Sequence, residues 1–178
     1  NKKLTLTYQI SAMQDSKTLI LNNIEASQKI KRIAYQIVEK YFLEKKITFI
    51  GISSKGFLLA KKIKKDFSSI SAIDISLVEL KVNKKNPLDP ITLNPQVDIS
   101  GQTVILIDDV LNSGRTLMHA ASLITQSGVK QLNTIVLIDR RHRKFPIRAD
   151  WVGLTLSTTL QEHISVEFST NKIAAYLH

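Results

Sequence analysis

The chain has 178 residues, of which 43% are hydrophobic and 22% are charged, a composition typical of one globular domain. It contains no cysteine, which excludes disulfide bonds, thiolate metal sites and a cysteine nucleophile. No apolar run approaches the ~20 residues that span a bilayer, and no signal-peptide pattern is present, so we expect a cytoplasmic protein without a membrane partner. The formal net charge of +10 favours anionic partners such as nucleotides, phosphorylated sugars or nucleic acid. The lysines are scattered, however, and a solvated basic surface explains the same charge equally well.

Helical and β-type patterns alternate along the chain. Apolar residues at helical spacing between Ile24 and Tyr41 predict an amphipathic helix that begins after Asn22 or Asn23. Further predicted strands lie at 47–50, 73–77, 104–107 and 132–138, and further predicted helices at 57–63 and 117–124. This order predicts an α/β fold, with a mainly parallel central sheet flanked by helices, in a single domain over residues 1–178.

A short loop bounded by glycines, Gly51-Ile52-Ser53-Ser54-Lys55-Gly56, separates the predicted strand at 47–50 from the next helix. Small residues and one cation at a strand–helix junction suit a loop that binds phosphate groups. An ordinary turn with an exposed Lys55 has the same pattern, so this motif alone does not decide between the two interpretations.

Residues 81–100 are polar, contain several prolines and are predicted to form a long flexible loop. Loops of this length without secondary structure are uncommon in compact domains, and many of them are active-site lids. An ordinary surface loop is the alternative. Lys81, Lys84 and Lys85 lie in this segment and are candidates to approach a bound anion.

The most informative segment is Val104–Thr116. Its apolar strand ends in Asp108 and Asp109, and a small polar loop containing Gly114 then opens a helix. Open α/β sheets bind ligands at the carboxyl ends of their strands, and the N–H groups at a helix start can hold a phosphate. Two carboxylates beside a phosphate are expected to hold ribose hydroxyls, or waters around a Mg²⁺ ion. The purely structural alternative is that the acids only cap the next helix.

The run Val104–Thr116 resembles the signature of type I phosphoribosyltransferases that binds 5-phosphoribosyl-1-pyrophosphate (PRPP). The resemblance implies that Asp108 and Asp109 act at the ribose, with Mg²⁺ bound through substrate and water. It implies that the 5′-phosphate is bound by Asn112, Ser113, Gly114, Arg115 and Thr116. The pyrophosphate would be bound by Ser54, Lys55 and Gly56, with a cis peptide between Ser54 and Lys55, and the loop at 81–100 would close over the site.

A second signature lies at Asp139–Gly153, which reads Asp-Arg-Arg-His-Arg-Lys-Phe-Pro-Ile-Arg-Ala-Asp-Trp-Val-Gly. It is similar to a run of the PyrR family, pyrimidine operon attenuators with uracil phosphoribosyltransferase activity, and the whole resemblance spans about residues 19–168. It implies that uracil and PRPP give UMP and pyrophosphate, in a homodimer or larger assembly. It also implies a small hood over residues 139–178. By the same resemblance, base contacts would come from Arg148 and Ile164, and contacts to a messenger-RNA stem-loop from Arg32, His142 and Arg143.

Two alternatives remain open at this point. One is a purine phosphoribosyltransferase acting on hypoxanthine or guanine, although such enzymes usually have an Asp at the position of Asn112, and Asn cannot act as a general base. The other is a non-catalytic regulator that senses a nucleotide and binds RNA. Arg141 and Lys144 replace a Gly and a Glu of the PyrR pattern, and these departures weaken the regulatory interpretation.

Overall fold

The computed structural model of the chain describes residues 17–82, 92–159, 162–170 and 172–178. Within them lie nine strands: β1 (Thr18–Leu21), β2 (Lys46–Ile52), β3 (Asp74–Lys81), β4 (Thr92–Asn94), β5 (Thr103–Leu111), β6 (Gln131–Asp139), β7 (Trp151–Thr155), β8 (Ile164–Phe168) and β9 (Ile173–Leu177). The helices are α1 (Asn23–Tyr41), α2 (Ser53–Ser68) and α3 (Arg115–Gln126). None of these described helices is both long and apolar enough to cross a bilayer.

Six strands form the central sheet in the order β4-β3-β2-β5-β6-β7. The five strands from β3 to β7 in this order run parallel, and β4 is antiparallel to β3 at the edge. Strand β5 lies in the middle, and its residues 103–107 are buried. An apolar run without alternation is the pattern of a parallel strand covered on both faces, which is why residues 104–107 could be predicted as a strand.

Helices cover both faces of this sheet. Alternate residues of β5 face opposite sides: Ile105 and Ile107 pack in the core with α1 and α2, whereas Val104 and Leu106 pack with α3. The start of α1 is fixed by Asn22, whose Oδ1 accepts from the N–H groups of residues 24 and 25 at 2.9 and 3.0 Å. The predicted α/β fold with a mainly parallel, helix-flanked sheet is therefore confirmed.

A smaller antiparallel sheet, with the order β1-β9-β8, accompanies the central one. We call it the hood sheet. Its composition differs from the predicted hood at 139–178, because β1 is part of it and β7 is not. Strand β7 instead pairs with β6 and ends the central sheet. This pairing depends on Gly153, because a Cβ atom there would lie 2.5 Å from the carbonyl oxygen of Leu137.

The segment predicted as a flexible loop, residues 81–100, is partly ordered structure. Lys81 is the last residue of β3, and β4 returns along that strand, with Leu80 opposite Leu93. Farther on, Ile99 is buried in the core on the α3 side. The predicted loop is therefore shorter than expected, because these apolar residues pack against the sheet. Residues 83–91, which include Lys84 and Lys85, lie outside the described residues.

Tyr41 supplies a pH-dependent contribution to stability. Its side chain is 4% exposed, and its hydroxyl donates a hydrogen bond to Asn133 Oδ1. Burial, together with the negative charges of Asp150 and Glu44, raises the pKa of Tyr41 to about 12, whereas an unfolded tyrosine has a pKa of about 10. The stabilisation is therefore present below pH ~10 and is lost as the pH rises from about 10 to about 12.

We expect the free energy of unfolding of the wild type to fall more steeply than that of Tyr41→Phe above pH ~10, because the variant lacks the titrating hydroxyl. Urea unfolding at a series of pH values between 9 and 11.5 measures this difference. Tyr35→Phe is the matched control, since Tyr35 lies on the same helix with its side chain exposed. Parallel pH profiles for the wild type and Tyr41→Phe would contradict the assignment.

Candidate active site

An open cleft of about 290 Å³ lies at the carboxyl ends of the central strands. It brings together most of the residues predicted for the site from the sequence: Lys55, Asp108, Asp109, Asn112, Ser113, Gly114, Arg115, Thr116 and Ile164. These residues come from four separate parts of the chain. The cleft is also lined by Ile52, Val82, His119 and His163, for which no role was predicted.

The two carboxylates lie where β5 extends past its neighbour. Pairing between β5 and β2 ends at Gly51 and Ile107, so Asp108 and Asp109 project beyond β2 into the cleft. The Asp109 side chain is largely buried, with 8% of the residue exposed, and Asp108 is partly exposed. The Asp109 N–H donates to Asp108 Oδ1 at 2.9 Å. The strand end therefore holds two carboxylates on a rigid, fully paired element, as a ribose-binding site requires.

The loop after β5 leads directly into α3. Gly114 has φ +85°, and a Cβ atom there would lie 2.8 Å from the side chain of Ile147. Ser113 is held from below, because its carbonyl accepts from the N–H groups of Lys144 and Phe145 at 2.9 and 3.1 Å. Among the described residues, no side chain caps α3. The backbone N–H groups of its first turn are thus directed toward the cleft side, where an anion is stabilised by the helix dipole.

The segment predicted as a pyrophosphate loop, residues 51–56, is the end of β2 followed at once by the first turn of α2. The predicted cis peptide between Ser54 and Lys55 is wrong: within the described ranges the cis bond is Asn94–Pro95. The chain instead turns from strand to helix through Ser53, which has φ +55°. A positive φ in a residue other than glycine is strained and is often found at functional sites.

Gly56 allows α2 to lie against β5. A Cβ atom on this residue would lie 2.5 Å from the carbonyl oxygen of Ile107 and 3.3 Å from the Cα of Asp108. This close contact brings the start of α2 beside the two carboxylates, and Lys55 therefore lines the same cleft. The arrangement separates one cation from the acid pair by a single backbone contact.

The basic run at 139–150 crosses the sheet from one end to the other. Because β7 is parallel to β6, the chain has to return from the carboxyl end of β6 to its amino end, where Trp151 pairs with Ile135. Arg148 lies three residues before Trp151, and its carbonyl accepts from Thr134 Oγ1 at 3.3 Å. Arg148 is thus at the opposite end of the sheet from the cleft and is not among its lining residues. The geometry does not support the base contact predicted for it.

The three residues predicted to bind RNA each contact an acceptor within the chain. Arg143 forms an ion pair with Asp139, and a ring nitrogen of His142 contacts the carbonyl of Thr158. Arg32 donates to the carbonyl of Val152 at 2.6 Å. Sequence spacing does not reveal these partners, because two of them are main-chain carbonyls on distant segments.

Arg140 is the residue whose role was missed. It was grouped with the exposed cations of the basic run, but it is buried, with 8% exposed, and it donates to Asn112 Oδ1 at 2.9 Å. One signal was available in the sequence: Arg140 follows the last residue of an apolar parallel strand, and such positions enter the ligand-binding edge of the sheet.

Comparison with known proteins decides the family. The phosphoribosyl transferase domain family matches residues 17–171. The chain belongs to this family. The Bifunctional protein PyrR of Haemophilus ducreyi is 34% identical over 157 residues, which cover 83% of this chain and 88% of that protein. The Bifunctional protein PyrR of Clostridium kluyveri is 35% identical over 161 residues, which cover 86% and 91% of the two chains.

These identities place the chain in the PyrR branch of the phosphoribosyltransferase family, as the two signatures predicted. A crystal structure of a hypoxanthine-guanine phosphoribosyltransferase from Bacillus anthracis is similar in fold, with a TM-score of 0.74. The two chains are 22% identical, and the match covers 90% of this chain and 97% of the other. The predicted enzyme class, a phosphoribosyltransferase, is confirmed by the family match.

Proposed function

We propose that this phosphoribosyltransferase transfers the phosphoribosyl group of PRPP to uracil and releases UMP and pyrophosphate. The observation that carries the proposal is that one cleft gathers Asp108, Asp109, Lys55 and the glycine-containing start of α3. This set provides a sugar site, a cation for a leaving anion and a phosphate site within a single connected space. The membership in the PyrR branch supports uracil as the acceptor.

The proposed roles follow from the charges that develop during transfer. The bond between ribose C1′ and the pyrophosphate oxygen breaks, and positive charge develops on the ribose ring. A bond forms from uracil N1 to C1′, and N1 loses its proton. Asp108 and Asp109 at the ribose stabilise the positive charge, while Lys55 stabilises the negative charge on the departing pyrophosphate. The N–H groups at the start of α3 bind the 5′-phosphate and hold the sugar in place.

The residues of the cleft fit a Mg²⁺ ion that arrives with its substrate. Among the described residues there is no group of three His, Asp or Glu side chains that could hold a metal without other ligands. Mg²⁺ commonly takes one or two carboxylates and fills its remaining positions with water and substrate phosphate oxygens. When bound, it would neutralise charge on the pyrophosphate. Asp108 and Asp109 would hold its waters or the ribose hydroxyls.

The hypoxanthine-guanine alternative receives less support from the site. Position 112 carries an asparagine, and its Oδ1 is already engaged by Arg140. No carboxylate is therefore presented at this position to a purine nitrogen. The likeness to the Bacillus anthracis enzyme concerns the fold alone, since the identity is 22%.

Incubation of the protein with PRPP, Mg²⁺ and each nucleobase in turn tests the proposal. We expect UMP and an equal amount of pyrophosphate with uracil, and much slower turnover with hypoxanthine or guanine. Turnover with the purines alone would contradict the uracil assignment. Absence of turnover with every base would contradict the catalytic proposal itself.

Lys55→Met is expected to raise the KM for PRPP by about 10- to 100-fold, because one charge-assisted contact to the pyrophosphate is lost. The KM for uracil should change much less. Steady-state kinetics with PRPP varied at saturating uracil measure the effect. Lys65→Met removes the same charge from the exposed last turn of α2 and serves as the matched control. Equal KM values for the two variants would exclude a pyrophosphate contact by Lys55.

We also propose a second role in binding a messenger-RNA stem-loop, in a homodimer or larger assembly. The support is the PyrR relationship together with the net charge of +10. Binding that rests on phosphate contacts weakens steeply with salt. Titration of the protein against a stem-loop RNA at several salt concentrations tests this role, and light scattering measures the assembly. Binding that is absent at low salt would contradict it.

A further inference from the structure

Arg140 is a buried cation that binds neutral acceptors only. Its Nη1 donates to Asn112 Oδ1 at 2.9 Å, and its Nε donates to Thr158 Oγ1 at 3.1 Å. Its Nη2 donates to the carbonyl of Thr159 at 3.3 Å and also to the carbonyl of Glu162. The nearby Glu162 carboxylate is engaged elsewhere, since it accepts from the Thr159 N–H. Burial of a charge without a direct carboxylate partner is costly for stability, so a role beyond packing is indicated.

The hydrogen bonds of Arg140 join two sides of the cleft. One side is Asn112, at the start of the phosphate loop. The other is the segment from Thr158 to Glu162, which leads from the central sheet into β8 of the hood sheet. Ile164, the first residue of β8, lines the cleft. A rigid guanidinium with several donors in fixed directions is suited to hold such a geometry, which a flexible lysine does not reproduce.

Arg140 also determines which way the Asn112 amide points. An arginine side chain has donors only and stays charged, so the atom of Asn112 that faces it has to be the acceptor Oδ1. The Nδ2 group is then turned away from Arg140, and among the described residues it has no recorded hydrogen-bond partner. Because Asn112 lines the cleft, these two N–H donors are available to a bound substrate.

We propose that Arg140 is a positioning residue that holds Asn112 with its Nδ2 donors toward the bound base, so that position 112 accepts a carbonyl oxygen of a pyrimidine. This inference rests on the proposed function and deepens it. A protonated ring nitrogen at the same place would meet another donor and would be rejected. Selection by unpaired polar groups of this kind discriminates strongly between ligands, because the mismatched donor remains buried without a partner.

The decisive variant is Asn112→Asp, which keeps the shape of the side chain and its bond to Arg140. One carboxylate oxygen then faces the guanidinium and the other faces the base as an acceptor. We expect kcat/KM for uracil to fall by about 10- to 100-fold. The melting temperature should be unchanged or higher, since a salt bridge replaces a neutral hydrogen bond. Unchanged use of uracil by Asn112→Asp would overturn the inference.

A double-mutant cycle tests whether Arg140 acts through Asn112. Arg140→Met alone is expected to lower kcat/KM for uracil by about 10- to 100-fold, whereas the same change in an Asn112→Ala background should have a much smaller effect. Arg140→Lys should recover part of the loss, because lysine can still donate to Oδ1. Arg141→Gln, an exposed neighbour, is the matched control and should retain the wild-type kinetics.

The outcomes separate this inference from the proposed function. Wild-type protein that forms no UMP contradicts both. If the wild type forms UMP and the effects of Arg140→Met and Asn112→Ala simply multiply, the inference alone is overturned and Arg140 has a structural role. A rise in the KM for PRPP with no change in the KM for uracil would likewise overturn it, because the Asn112 donors would then serve the phosphate.

Discussion

Asp109→Asn is expected to lower kcat/KM for UMP formation by at least ~100-fold, as the loss of one preorganised electrostatic group in an active site commonly does. Asp109 is 8% exposed at the end of the central strand β5, so its charge acts on the ribose with little screening by water. Asparagine has the same shape but no negative charge to stabilise an oxocarbenium-like ribose. Single-turnover and steady-state measurements with PRPP and uracil determine the loss.

The fold should tolerate this substitution. The recorded Asp109 hydrogen bond runs from its backbone N–H to Asp108, and asparagine leaves this bond intact. We expect a melting temperature within a few degrees of the wild type. Asp74→Asn is the matched control, because Asp74 is exposed at the amino end of β3, at the opposite end of the sheet. Full activity of Asp109→Asn would refute the ribose assignment.

Gly56→Ala is expected to damage both stability and catalysis. The added Cβ would lie 2.5 Å from the carbonyl oxygen of Ile107, a backbone atom of the central strand that cannot turn aside. Relief of the clash requires α2 to move away from β5, at a cost of about 1–3 kcal/mol in the free energy of unfolding. Lys55 would move with α2, and we expect kcat/KM for PRPP to fall by roughly 100-fold, as for other misplaced active-site groups.

Urea unfolding and PRPP kinetics measure the two effects of Gly56→Ala. Gly101→Ala is the matched control: no atom lies within 4 Å of its added Cβ, and its φ of +67° confines the penalty to backbone strain. That strain costs about 1–2 kcal/mol, and it lies away from the cleft. If Gly56→Ala retained wild-type kinetics, the close contact between α2 and β5 would not be what positions Lys55.

The segment Val104–Thr116 shows how much local sequence can predict. An apolar run, two acids and a loop with Gly114 are contiguous, and each part adopts its structure mainly through neighbours along the chain. The strand, the loop and the start of α3 were therefore all predictable, and the cleft contains Asp108 and Asp109 as expected. The cap of α1 was predictable in the same way, because Asn22 bonds to residues two and three positions ahead.

The basic run at 139–150 shows where local sequence is insufficient. Arg140 and Arg148 look alike in the sequence, yet one is buried beside Asn112 and the other lies at the far end of the sheet. What separates them is the parallel pairing of β7 with β6, which makes the intervening chain cross the whole sheet. That pairing depends on Gly153 fitting against Leu137, a contact between residues sixteen positions apart.

The sequence by itself thus determined the family, the phosphate loop and the acid pair, because contiguous residues encode them. Only the tertiary structure decided which cations belong to the site and how Asn112 is turned. Those properties depend on hydrogen bonds between segments that meet only when the sheet is assembled, such as that from Arg140 to Asn112. The orientation of one amide, and with it the proposed preference for a pyrimidine carbonyl, is therefore a consequence of strand order rather than of any motif.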